Sequence, residues 1–251
     1  MIDSASPTLS VSSCATSQVC DQILAAAPGD VDALQTKLVS LIELGQVEDA
    51  LQLAESSPSI VEATSFERAY CLYSLHREKE SLEILMPGGV HPTDSRSLLL
   101  AAQIFYRLGE YTRAADYFQK AETEGGSSAE LSTNILAALV SAGDGDAGID
   151  YAHSVAGPDA HDAKPHELVY NYACAAIKTG QLAHAKKLLQ KAITLCRETL
   201  NDGDDWTEEE VEVCFNVTVI ARGICLRLHS PDPKQATGPA PCGCACSMLT
   251  P

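Results

Sequence analysis

Apolar residues recur every third or fourth position along most of the chain, in stretches separated by short breaks rich in Gly, Pro, Asp and Ser. That period belongs to amphipathic helices. It predicts helices near residues 16–27, 31–44, 47–56, 63–75, 78–86, 95–108, 111–123, 128–142, 146–155, 165–179, 182–199 and 207–228. Thr207 and Glu210 have the spacing of a capping box at the start of the last one. Residues 201–206 read as an acidic loop. Residues 1–15 and the Pro- and Cys-rich stretch 229–251 lack the period and are expected to be disordered.

The helices repeat as pairs. Leu44-Gly45-Gln46-Val47-Glu48-Asp49-Ala50, Leu108-Gly109-Glu110-Tyr111-Thr112-Arg113-Ala114 and Thr179-Gly180-Gln181-Leu182-Ala183-His184-Ala185 follow one pattern. Each has a helix end, a Gly, a polar residue, an apolar residue and, five residues after the Gly, an Ala. A weaker copy surrounds Gly143, with Ala147 near the Ala position, and in another copy His76 replaces the Gly. The landmarks at 45, 76, 109, 143 and 180 are 31, 33, 34 and 37 residues apart. Those steps bracket the period of about 34 residues of tetratricopeptide repeats. The Gly permits the left-handed backbone that ends a first helix, and the Ala lets the two helices approach closely. Ala102 and Ala173, seven residues before their Gly, supply the facing small contact, and Ala121 and Ala192 let the next pair stack. The expected fold is therefore all-α: a tetratricopeptide-repeat superhelix, an α-solenoid of antiparallel helix pairs over residues 16–228. The segment 16–27 reads as a second helix without its first, and 207–228 as a first without its second. The array is thus expected to be incomplete at both ends.

Composition narrows the function. The 251 residues carry 17 Lys and Arg against 34 Asp and Glu, a net charge of −17. Phosphate neutralisation needs the opposite sign, so direct nucleic-acid contact and adhesion to an anionic membrane are not expected. A basic protein surface is the electrostatic complement. The N-terminal stretch has neither the basic region nor the apolar run of a secretory leader, and no run of 18 apolar residues occurs. A cytoplasmic location follows as an expectation, with the ten cysteines reduced.

Two stretches go beyond generic repeat residues: Ser65-Phe66-Glu67-Arg68-Ala69-Tyr70-Cys71-Leu72-Tyr73-Ser74-Leu75 and His166-Glu167-Leu168-Val169-Tyr170-Asn171-Tyr172-Ala173-Cys174-Ala175-Ala176, the second running on to Leu195-Cys196-Arg197. With Thr133-Asn134, they resemble the N-terminal repeat region of the 72-kDa subunit family of the signal recognition particle, over roughly residues 16–215. The resemblance implies a docking platform for the 68-kDa subunit of that particle, in targeting proteins to the endoplasmic reticulum. It also implies a separate Lys-rich RNA-binding region, and this sequence has none. Pro231-Asp232-Pro233 is faintly similar to a motif of that region, but the residues after it do not continue the match.

First helices line the concave face of such arrays, which points to the binding residues. Asn134 and Asn171 sit nine residues before their landmark Gly. An amide there can bond both an N–H and a C=O of an extended peptide. Asn216 has the same pattern. Arg107 and Lys178, two residues before Gly, are expected to face inward. Tyr73, Tyr106 and Tyr170, with Tyr70 and Tyr172, offer amphipathic contact area. The plain alternative for each is a solvated or structural side chain.

No reading as an enzyme stands up. His166-Glu167 opens a zinc-protease pattern, but the second His is replaced by Tyr170. Asp144, Asp146 and Asp150 lack the Gly and distal Glu of a calcium loop. No cofactor is implied. Cys242, Cys244 and Cys246 are weak metal candidates, because structural zinc sites favour two-residue gaps and a second pair. A co-chaperone that captures an acidic C-terminus is the other adaptor reading, but it wants a groove rich in Lys and Arg, against the charge found here. Metal handling by the tail is the third.

Overall fold

A computed structural model describes residues 7–161 and 163–201. Eleven α-helices and no strand occur among the described residues. The chain divides into two compact units, the first ending at Leu108 and the second beginning at Gly109. This boundary falls at the turn of the best repeat copy, within what reads from sequence as one continuous array.

The first unit holds α1 (Pro7–Ala26), α2 (Val31–Glu43), α3 (Val47–Ser56), α4 (Ser65–Ser74), α5 (Glu78–Leu85) and α6 (Ser95–Arg107). Each helix packs on the next, and α2 also touches α4 and α4 touches α6. Leu38, Leu41, Ala50, Leu51, Ala54, Cys71 and Leu72 form one buried cluster there. Side-chain caps start the helices: Asp30 accepts from the Ala33 amide at 2.8 Å and Asp94 from the Ser97 amide at 2.9 Å. The first helix begins at Pro7 rather than near residue 16. Pro is pre-organised for a first helical position, and Ser13 is buried, with its hydroxyl donating to Glu43. That tertiary contact holds in place a Ser-rich stretch of low intrinsic helix propensity.

The second unit holds α7 (Tyr111–Gly125), α8 (Ala129–Ser141), α9 (Gly145–Ala156), α10 (His166–Lys178) and α11 (Leu182–Asn201). Here α8 packs on α7, α9 and α10, and α10 on α9 and α11. Leu136, Val140, Ala152, Tyr172, Ala185, Leu188 and Leu189 belong to its core. Ser128 caps α8 and Asp144 caps α9, so Asp144 has a structural task in the acidic stretch.

The corners follow the sequence pattern. Gly45, Gly109, Gly143 and Gly180 have φ of 71°, 77°, 89° and 78°. At Gly45 the amide reaches Ile42 O and the next amide reaches Leu41 O, both at 2.9 Å; this paired bonding closes the helix end. It recurs at His76, Gly143 and Gly180. The small residue five positions on is buried in every copy: Ala50, Ser81, Ala114, Gly148 and Ala185. In the Gly143 copy the close contact is thus made by Gly148, not Ala147. A Cβ on Gly148 would lie 3.2 Å from the Ala175 methyl. Ser81 is admitted because its hydroxyl donates to Ala69 O at 2.6 Å.

The expected helix at 207–228, the acidic loop, Asn216 and the tail with Cys242, Cys244 and Cys246 lie outside the described residues. Cys14, Cys20 and Cys71 are free thiols, and Cys196 is buried in α11.

Candidate functional site

In the first unit, α2, α4 and α6 are the first helices of successive pairs and share one face. Between them lies a pocket of about 430 Å³. Val39 and Ile42 come from α2, Phe66 and Tyr70 from α4, and Leu99 and Leu100 from α6. Glu43, Glu67 and Arg96 stand with them. Val39 is 44% exposed although it is aliphatic. Arg96 lies 4.1 Å over the Phe66 ring and 3.8 Å from the Glu67 carboxylate. Tyr70 is buried, and burial raises its pKa against the opposing effect of the Ser74 hydroxyl beside it. Beside it, Cys71 is fully buried, and its thiol is pushed up to about 12 by burial and then by the charge of Glu67.

The residues marked from sequence fall into both units. In the first, Tyr73 is buried and Tyr106 is half-buried. Arg107 lies 4.3 Å over the Tyr73 ring, donates to Tyr73 O at 3.0 Å and pairs with Glu78 at 3.1 Å. It also meets the His76 ring. Arg107 therefore braces the α4–α5 corner. In the second unit, Asn134 and Asn171 are 0% exposed and Tyr170 is 1% exposed. The Asn171 amide donates to Thr133 O at 3.3 Å, tying α10 to α8. Neither asparagine presents its amide to solvent, whereas the position read from sequence called for an open groove. Lys178 is exposed at the end of α10.

Sequence reasoning singled out Tyr70 but passed over its pocket companions. One signal was available. Leu98-Leu99-Leu100 is a wider apolar run than one helix stripe needs: Leu98 and Leu100 are buried, and the middle residue turns to the pocket. Among the described residues, no group of three or more His, Cys, Asp or Glu side chains is placed to hold a metal ion. No described helix is long and apolar enough to cross a membrane.

Known proteins match much of the array. A family model described as a putative TPR-like repeat matches residues 16–142, and one described as a tetratricopeptide repeat matches residues 166–199. The signal recognition particle subunit SRP72 of Canis lupus familiaris is 31% identical over 194 residues, covering 76% of this chain and 28% of that protein. SRP72 of Homo sapiens matches over the same shares at 31%, and that of Dictyostelium discoideum is 29% identical over 197 residues, covering 78% of this chain and 28% of its own length. The chain thus spans little more than a quarter of the relatives it matches. Among solved structures, YrrB, a tetratricopeptide-repeat protein described as having an unusual peptide-binding site, superposes with a TM-score of 0.59 at 14% identity. It covers 71% of this chain and 93% of its own, a likeness of fold alone. The glycine-closed corners, the small residue five positions on and the matches across residues 16–142 and 166–199 agree: the chain belongs to the tetratricopeptide-like repeat family of the signal recognition particle subunit SRP72 and corresponds to its N-terminal repeat region.

Proposed function

We propose that this chain is a protein-docking scaffold, without catalytic activity, that binds the 68-kDa subunit of the signal recognition particle in the cytoplasm during protein targeting to the endoplasmic reticulum. The similarity to SRP72 over 76% of the chain carries this reading. The open apolar pocket on the first helices supports it, because a preformed groove is how stacked helix pairs hold a segment of another protein. Tyr106, half-buried, and Lys178, exposed, are the direct contacts in this reading. Tyr73 and Arg107 brace the first unit, Asn171 ties α10 to α8 in the second, and Asn134 and Tyr170 are buried there. The net charge of −17 disfavours RNA contact by this chain and favours a basic partner surface.

The test is a pull-down of the purified chain with the 68-kDa subunit from the same source, in parallel with Tyr106→Ala and Lys178→Ala. Binding by the parent, weakened by either change, is expected. A helical, monodisperse chain that leaves the 68-kDa subunit in the flow-through overturns the reading.

A further inference from the structure

The pocket of the first unit has a chemistry of its own, beyond being a groove. Its floor and walls are aliphatic and aromatic side chains from three helices, and its volume of about 430 Å³ lies in the range of pockets that enclose a ligand group. Val39 and Leu99 leave apolar surface uncovered there, which favours an apolar occupant.

The rim adds a sign. Glu43 and Glu67 line the pocket with Arg96, whose guanidinium lies over the Phe66 ring and 3.8 Å from the Glu67 carboxylate, so the charged residues lining it are net negative. The field of a chain with net charge −17 reinforces the two glutamates. We propose that this pocket seats a bulky aliphatic or aromatic side chain of a partner polypeptide that carries a lysine or arginine within two residues of that anchor. The anchor fills the space between Val39, Phe66 and Leu99, and the basic group meets Glu43 and Glu67. An acidic segment is rejected by the same two carboxylates. A second copy of the chain is disfavoured by its own charge. The inference rests on the docking reading for its biological context, but the specificity it names is a property of the pocket and is measured separately.

The experiment selects binders from a displayed library of random 12-residue peptides on the full chain, then measures the enriched peptides by fluorescence anisotropy. Peptides with an apolar anchor beside Lys or Arg are expected. They should bind Val39→Lys and Leu99→Ser about tenfold or more weakly, as for a central anchor, while the circular dichroism of both variants stays that of the parent. Glu43→Lys should weaken the same peptides, and raising the salt should narrow that difference. Acidic flanks, affinities unmoved by Val39→Lys and Leu99→Ser, or no enrichment over bare support would each overturn the inference. So would a dimer in light scattering that Val39→Lys dissolves, since it would identify a second copy as the occupant. The 68-kDa pull-down separates the two claims. If the 68-kDa subunit binds and the pocket variants change neither it nor the peptides, docking stands and the pocket inference falls. If the selected peptides behave as expected and the 68-kDa subunit does not bind, the inference stands and the docking partner is wrong.

Discussion

The guanidinium of Arg107 donates from Nη1 to the carbonyl oxygen of Tyr73 at 3.0 Å, while its plane lies 4.3 Å over the Tyr73 ring. Tyr73 is in the last turn of α4, where helix carbonyls lose their intrahelical donors. Arg107 thus serves the helix end that lacks a landmark glycine, and its Nη2 reaches Glu78 at the start of α5. Arg107→Ala removes a charge-assisted hydrogen bond and leaves Glu78 without that partner. We expect a loss of about 2 kcal/mol in urea unfolding. Arg107→Lys should recover less than half of it, because an ammonium pairs with Glu78 but does not reproduce the planar stack on Tyr73. An unchanged denaturation midpoint in Arg107→Ala would contradict this account.

His76 takes the place of that glycine with φ of 59°. A side chain in the left-handed region costs about 1 kcal/mol relative to glycine. The His76 side chain is 80% exposed, so little packing is lost with it, and the ring contact to Arg107 that goes with it is screened by solvent. His76→Gly is therefore expected to raise stability by about 0.5 kcal/mol once the added freedom of the unfolded chain is set against the relieved strain. Gly45→Ala, at φ of 71° with open space around the new methyl, should lower stability by about 1 kcal/mol. Thermal midpoints that move the same way in both variants would exclude the backbone explanation.

Gly148 gives a prediction about the α9–α10 contact. The glycine lies within 4 Å of Ala175, Leu136 and Val140 once a Cβ is placed on it, the closest at 3.2 Å. A leucine there must displace α10 or adopt a poor rotamer. Gly148→Leu should cost about 2–3 kcal/mol through overpacking. Ala147→Leu, one residue away at a half-buried position, should cost under about 1 kcal/mol. Equal destabilisation by the two would contradict the assignment of Gly148 to the close contact.

These positions show where the sequence was legible. Helix limits in the described part follow the apolar period to within a few residues, except at α1, because burying one face decides a helix once its corner is fixed. The corners were readable from Gly45, Gly109, Gly143 and Gly180, since few other residues adopt positive φ cheaply. Ser81 and Gly148 were not recognised as standing for Ala, because smallness, not residue type, is what close approach requires. For the candidate site, period and offset placed Arg107 and Asn171 on first helices but did not give their partners. Tyr73 O is 34 residues from Arg107 and Thr133 O is 38 from Asn171, and such bonds exist only after the pairs have stacked. The pocket was hidden for the same reason: Val39, Phe66 and Leu99 come together from three helices.

Histidine titration should make the fold acid-sensitive. Burial lowers the pKa of His166, opposed by the neighbouring Glu167 carboxylate at 3.3 Å. Burial also lowers that of His184, whose ring stands edge-on to Tyr172 at 5.3 Å. Both imidazoles bind a proton less readily folded than unfolded, where the ordinary value is 6.5. Their contribution to stability is complete above that value and is lost as pH falls through the lower folded values. Urea midpoints should fall as the pH is lowered from 7 to 5, and His166→Gln should flatten the dependence. A midpoint that rises over that interval would reverse the assigned sign.

Thiol chemistry separates the two extremes among the free cysteines. Cys71 is 0% exposed in the core of the first unit, and burial together with the Glu67 charge pushes its thiol up to about 12. At pH 8 about one molecule in ten thousand would carry the thiolate, which is the reacting form, and even that one is shielded from reagent. Cys14 is exposed on α1, with the Gln18 amide 3.8 Å from its sulfur. Brief treatment of the native chain with iodoacetamide, read by peptide mass spectrometry, should modify Cys14 in minutes and leave Cys71 intact. Cys20 and Cys196, both buried, should be slow as well. In urea above the midpoint, Cys71 should approach the rate of Cys14, because burial is the main cause of its inertness. Fast native labelling at Cys71 would mean that α4 opens from the core far more readily than its contacts with α3 and α5 allow.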